Sequence, residues 1–102
     1  MNFAFISRHK PTQEQILLAK EKGITLHPIG DADAFTVSPA WVEANSPETV
    51  TFAGVVVVHP AAALLLCQSY LIGIFENANR APEGIPPQFA AKAFHIYDLD
   101  LI

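Results

Sequence analysis

The sequence contains a single cysteine, Cys67, so the chain cannot form an internal disulfide. The absence of disulfides is typical of proteins in a reducing compartment, and we therefore expect a cytoplasmic location. No apolar run reaches the roughly 18 to 20 residues that cross a bilayer, so we expect no membrane partner. At the N-terminus, MNFAFISRHK carries its charges after its apolar residues, which is the reverse of a signal peptide.

Charged residues are also scarce: they make up 16% of the 102 residues, whereas hydrophobic residues make up 51%. This composition is typical of a folded chain, and the length fits a single domain over residues 1–102. The net charge of −4 provides no basic surface, so duplex nucleic acid is not an expected partner. A pocket that contains two arginines could still bind a small anion.

The sequence lacks the common metal and cofactor motifs: HxxxH, HExxH, CxxC, Walker A and GxGxxG do not occur. Asp31 and Asp33 are too few to hold a metal ion by themselves. Cys67 lies within an apolar run, which is a poor environment for a nucleophilic thiol. We therefore expect neither a metal nor a cofactor.

Aromatic and β-branched runs, interrupted by turn residues, predict five strands. These lie at residues 3–6, 24–29, 55–58, 71–75 and 94–99. Helices are predicted at residues 13–22 and 61–70, with a short helix that begins at Pro39. Because helices alternate with the strands, the chain is expected to be an α/β protein with a mostly parallel sheet.

The order of strands in this sheet follows from two further signals. The four valines at residues 55–58 are typical of a central strand that is buried on both faces. Right-handed crossovers then give a strand order close to 2-1-3-4, with the last strand at an edge. The expected architecture is a small, three-layer Rossmann-like fold, which binds ligands at the carboxyl ends of its central strands.

Polar residues gather just beyond the ends of the first, third and fourth strands. They are Ser7, Arg8, His9 and Lys10, then His59, then Glu76, Asn77, Asn79 and Arg80. Both arginines of the chain are in this set. Arginine has a planar fork that matches phosphate oxygens, and histidine can transfer a proton near neutral pH. The sequence therefore predicts a phosphate-binding site at this edge of the sheet.

Several of these residues also have a purely structural interpretation. His59 could simply cap the helix that follows it, and Pro60 suits the first position of that helix. Arg8 and Lys10 could be solvated loop charges, and residues 76–80 could brace a loop. The cluster as a whole, rather than any one member, points to a ligand.

The order of elements and two short motifs resemble the small ring nucleases of type III CRISPR systems, which are relatives of the CARF (CRISPR-associated Rossmann) domains. The motifs are FISRH at residues 5–9 and VHPA at residues 58–61. This chain departs from the family in one respect, because the loop before its last strand is proline-rich where a helix is more usual. The resemblance implies a homodimer that binds cyclic tetraadenylate, a ring-shaped second messenger.

The resemblance also implies metal-independent cleavage of that ring by the 2′-hydroxyl of the substrate, which switches off the antiviral response. In such a reaction Arg8 would stabilise the phosphorane, and His9 or His59 would act as acid or base. Ser7 and Asn77 would hold the diester. The remaining candidates for substrate binding are Lys10, Glu76, Asn79 and Arg80.

Three other functions fit the same residues. The protein could be a non-catalytic sensor or sponge that binds a nucleotide, or a phosphoester hydrolase with an unrelated substrate. It could also be a dimeric interaction protein, because the helix at residues 61–70 is apolar nearly all round and needs cover on more than one side. Residues 30–53 could fold over the pocket as a lid.

Overall fold

The computed structural model describes residues 1–77 and 91–99. Within these ranges the chain forms five strands and three helices. They are β1 (Asn2–Ile6), α1 (Gln13–Glu21), β2 (Thr25–Gly30), α2 (Pro39–Ala44), β3 (Gly54–Val56), α3 (Pro60–Leu66), β4 (Leu71–Asn77) and β5 (Ala91–Tyr97). None of the helices in the described ranges is long and apolar enough to cross a bilayer.

The strands form one sheet in the order β2-β1-β3-β4-β5. The first four strands are parallel, and β5 pairs with β4 in the antiparallel direction. This arrangement confirms the predicted fold class, a small Rossmann-like α/β fold with a mostly parallel sheet. Pro28 lies in the edge strand β2, where its missing N–H group is tolerated.

Helices cover both faces of the sheet, which gives the three layers expected. Along β1, Phe3 and Phe5 face α1, whereas Ala4 and Ile6 face the core that contains α2 and α3. We call these the α1 face and the α2/α3 face. Val37 and Val42 are buried in the second core, so this part of residues 30–53 packs on the α2/α3 face.

The core of the α1 face is built from phenylalanine rings that two glycines accommodate. Phe3 and Phe94 meet edge to face with their ring centroids 6.1 Å apart. A Cβ atom at Gly54 would lie 2.5 Å from Cζ of Phe3, and one at Gly73 would lie 2.6 Å from Cζ of Phe94. Glycine is therefore required at both positions by the close approach of a ring.

Two predicted element boundaries near the carboxyl edge of the sheet were wrong. β3 ends at Val56, and although Val57 still donates a hydrogen bond to Gly73, the side chain of Val58 is 90% exposed. The strand of four buried valines is thus shorter than expected, because β3 and β4 are paired only as far as Val56. β4 runs beyond the predicted residue 75 and ends at Asn77.

The end of α3 also differs from the prediction. The helix stops at Leu66, and the backbone N–H groups of Ser69 and Tyr70 then donate to the carbonyl oxygen of Leu66 in a turn. Polar residues that follow the apolar run favour such a turn over further helix. The side chains of Leu64 and Leu65 are 71% and 44% exposed, so a single chain leaves part of α3 uncovered.

Candidate functional site

The carboxyl ends of β1 and β3 lie side by side, as the sequence predicts. Val58 projects from this edge of the sheet, and cavities on both sides of the Val58 side chain include it in their walls. Ser7, His9 and Lys10 lie on the side of α1. Arg8 and His59 lie on the side of the loop that follows β2. The structure therefore divides these five predicted residues into two groups, with an exposed valine between them.

The first group lines a cavity of about 260 Å³ against the start of α1. The hydroxyl oxygen of Ser7 accepts a hydrogen bond from the backbone N–H of His9 at 3.1 Å, which fixes the turn that follows β1. Lys10 adds an ammonium group to the same cavity. A hydroxyl, an imidazole and a cation thus share one cavity, and these are groups that bind a phosphate.

A second cavity of about 150 Å³ continues from the first, and Phe5, Gln15 and Val58 line both. Its other side chains on the α1 face are Val56 and Phe75. We call the two cavities the polar half and the apolar half of the α1-side cleft. Typical small-molecule sites measure about 300 to 1,000 Å³, so the halves reach this size only together.

The second group of candidates is already engaged in contacts within the chain. Nε of Arg8 lies 3.7 Å from Oδ2 of Asp31, and the two side chains are 81% and 52% exposed. Such an exposed pair stabilises the protein by about 1 kcal/mol at most, so a ligand phosphate can replace the carboxylate at little cost. The cavity beside Asp31 and His59 measures only about 40 Å³.

His59 has a defined structural role as the N-cap of α3. Its Nδ1 accepts a hydrogen bond from the backbone N–H of Ala61 at 3.0 Å, and its ring meets that of Phe35 at 4.9 Å. An Nδ1 that accepts leaves the proton of the neutral ring on Nε2. In this arrangement His59 can donate a hydrogen bond to a ligand, but it can accept a proton only by giving up the cap.

Glu76 is not brought together with either group. Its carboxylate lies 3.4 Å from Nζ of Lys92 and 3.5 Å from Nε2 of His95, both on β5. The pair of interactions braces β4 against β5, which matches the structural interpretation of this residue. Asn77 is the last residue of β4, and Asn79 and Arg80 lie outside the described residues.

The apolar half of the cleft and Gln15 were not predicted from the sequence. Gln15 is visible in the sequence only as the partner of Thr12 in a capping box, and the structure contains that box. The alternation of β1 was the signal available, because it places Ser7 on the same face as Phe5 and α1. Residues in the first turn of α1 then lie beside any ligand that Ser7 contacts.

A larger cavity of about 480 Å³ lies at the opposite end of the sheet, near the start of β3. Its walls include two carboxylates, Glu43 and Glu48, neither of which forms an ion pair within residues 1–77 and 91–99. Tyr70 also lines it, and burial, with a smaller effect of the Glu43 charge, raises the pKa of its hydroxyl. The two carboxylates repel a phosphate, so this cavity is a poorer phosphate site than the α1-side cleft although its volume is greater.

The described part of the chain contains no group of three or more histidine, cysteine, aspartate or glutamate side chains placed to hold a metal ion. Comparison of the chain with models of protein families, with curated proteins and with solved structures found no match. A function for this protein therefore has to be argued from the residues of the site.

Proposed function

We propose that the protein binds a cyclic oligoadenylate at the carboxyl edge of its sheet and cleaves it without a metal ion. The observation that carries this proposal is the pair of polar groups on either side of Val58. A ligand with one phosphate can contact only one group. A ring of several nucleotides, such as cyclic tetraadenylate, can contact both and cover the exposed valine.

The reaction would be attack of a substrate 2′-hydroxyl on the adjacent phosphorus. The O2′–P bond forms and the P–O5′ bond breaks, which leaves a 2′,3′-cyclic phosphate and a 5′-hydroxyl. His9 takes the proton of the 2′-hydroxyl and returns one to O5′. Lys10 and Arg8 stabilise the charge of the phosphorane, for which Arg8 exchanges Asp31 for a phosphate oxygen.

The two histidines have different roles in this proposal. Because Nδ1 of His59 caps α3, that ring serves as a hydrogen-bond donor to a phosphate oxygen through Nε2. Proton transfer then falls to His9, which lies in the cavity with Ser7 and Lys10. The exposed leucines of α3 supply a surface on which a second copy of the chain packs, so the proposed active form is a homodimer.

The test is to incubate the protein with cyclic tetraadenylate in EDTA and to separate the products by chromatography. We expect linear adenylates that end in a 2′,3′-cyclic phosphate, and a loss of at least about 100-fold in rate for His9→Ala. Lys20→Ala, on the exposed last turn of α1, is the matched control and should cleave normally. A ring that neither binds nor breaks would overturn the proposal.

A second candidate function is a non-catalytic module that only binds the nucleotide. It is favoured by two interactions that exist before a ligand binds. Arg8 is paired with Asp31, and His59 accepts a hydrogen bond as the N-cap of α3. In that case the ring binds the protein and survives unchanged. A binding measurement on the sample used for the cleavage assay distinguishes the two functions.

A further inference from the structure

We infer that the apolar half of the α1-side cleft binds the base of a nucleotide and that Gln15 donates a hydrogen bond to that base. The inference rests on the proposed function in one respect, because it takes the polar half of the same cleft as the phosphate site. It adds a residue that determines which ligands bind tightly.

The α1-side cleft is polar at one end and apolar at the other. One end offers Ser7, His9 and Lys10, and the other is lined on the α1 face by Val56 and Phe75. A nucleotide is divided in the same way, with a charged phosphate at one end and a flat, largely apolar ring at the other. Neither inorganic phosphate nor a purely apolar ligand would use both ends.

The wall of the apolar half is held in place before a ligand arrives. The ring of Phe75 stacks on that of Phe94, with centroids 4.4 Å apart and an angle of 22° between the planes. Phe94 is itself buried against Phe3 in the core of the α1 face. A base that enters this half therefore meets a rigid aromatic and aliphatic surface, which favours stacking.

Gln15 is the only residue with a polar side chain among those that line the apolar half in the described part of the chain. Its Oε1 accepts a hydrogen bond from the backbone N–H of Thr12 at 3.0 Å, and the backbone N–H of Gln15 donates to Oγ1 of Thr12 at 3.2 Å. The first of these bonds orients the side-chain amide of Gln15 and engages its oxygen. The amide NH₂ group is left to donate, so the matching group on a base is a ring nitrogen or a carbonyl oxygen.

The experiment compares the binding of AMP with that of ribose 5-phosphate, which has the same phosphate and sugar but no base. Dissociation constants are measured by NMR titration for the wild-type protein and for Gln15→Glu. A glutamate at this position keeps the capping box, because its carboxylate also accepts the N–H of Thr12, but it has no proton to donate. Its added charge repels both ligands alike, so the ratio of the two constants isolates the contact with the base.

We expect the wild-type protein to bind AMP at least about tenfold more tightly than ribose 5-phosphate, and Gln15→Glu to reduce this preference to less than about threefold. Val58→Ser, which trims an exposed wall of the cleft, should reduce it as well. A thermal melt of each variant confirms that the fold is retained.

Equal binding of the two ligands by the wild-type protein would overturn the inference and leave the phosphate site of the proposed function intact. A preference for AMP that survives Gln15→Glu would show that Gln15 does not read the base, and so would overturn it too. Binding of neither ligand would remove the phosphate site from the polar half of the cleft and so overturn the inference, whereas the assay with cyclic tetraadenylate tests the proposed function separately.

Discussion

On the α1 face of the sheet phenylalanine supplies half of the buried core residues, whereas on the α2/α3 face the core consists mainly of valine, alanine and isoleucine side chains. The cover differs as well. A single helix of nine residues lies on the first face, and two helices with the loop after β2 lie on the second. The two faces of the sheet are thus buried by different residue types and by different numbers of helices.

The two faces also differ in the cavities that they form at the carboxyl edge of the sheet. The loop and helices on the α2/α3 face leave a cavity of only about 40 Å³ beside His59. On the α1 face the two-part cleft opens between the first turn of α1 and the ends of β1 and β3. At the carboxyl edge the larger space therefore lies on the α1 face, whereas the cavity of about 480 Å³ on the α2/α3 face lies at the opposite end of the sheet.

The largest effect that we predict is on the aromatic packing itself. Gly54→Ala places a Cβ atom 2.5 Å from Cζ of Phe3 and 2.8 Å from the carbonyl oxygen of Leu71. Since the carbonyl belongs to the backbone of β4, the contact cannot be relieved by a side chain alone. We expect the free energy of unfolding to fall by about 2 to 3 kcal/mol, measured by urea denaturation.

Gly23→Ala provides the control for that substitution. Gly23 has a φ of 74°, so alanine is strained there, but nothing lies within 4 Å of the added Cβ. The expected loss is about 1 kcal/mol, from backbone strain alone. If both variants lose the same free energy, the close approach of Phe3 is not what requires glycine at position 54.

The second prediction separates the two groups of candidate residues. Lys10→Ala should weaken the binding of AMP by about tenfold, which corresponds to about 1.4 kcal/mol, because it removes a cation from the polar half of the cleft. Arg8→Ala should weaken it by less than about threefold, since Arg8 lies across Val58 and is paired with Asp31. For cyclic tetraadenylate both variants should bind weakly. Equal effects on AMP would contradict the division of the site.

Sequence patterns were sufficient to predict most of the fold. The valines of β3 and the alternation of helices and strands give the sheet, and the pattern from Thr12 to Gln15 gives the start of α1. The exposure of Val58 was not predictable, because the end of β3 depends on how far its neighbours pair with it. A bracing role for Glu76 was one of the interpretations, but its partners on β5 could not be predicted, since they depend on the register of β5 against β4.

The third prediction concerns the α2/α3 face and has a smaller effect. The pKa of Tyr70 is raised above 10.0, first by burial and then by the charge of Glu43. The folded state therefore holds this proton more tightly than the unfolded state, so the contribution to stability is complete below pH 10 and is lost as the pH rises through the folded pKa. Urea denaturation at increasing pH should show this decline.

Glu43→Gln should lower the pKa of Tyr70 only part of the way, because burial is the larger cause. The tyrosinate absorbance band reports the titration, and Tyr97→Phe removes the only other tyrosine of the chain. A full return to the ordinary value in Glu43→Gln would mean that the charge, and not burial, dominates at this end of the sheet.

The smallest effect is expected at the edge of the α2/α3 face, where Glu76 meets Lys92 and His95 on β5. Strand alternation places Glu76 on the same side of β4 as the buried Ile72, but its side chain is 45% exposed. Exposed ion pairs contribute little, so Glu76→Gln should change the free energy of unfolding by less than about 0.5 kcal/mol at low salt and by less still at high salt. A loss above about 1 kcal/mol, insensitive to salt, would show that this brace holds β5 on the sheet. Phe94 also lies on β5, and its ring supports Phe75 in the wall of the α1-side cleft. The position of Phe75 would then depend on the interactions of Glu76 with Lys92 and His95.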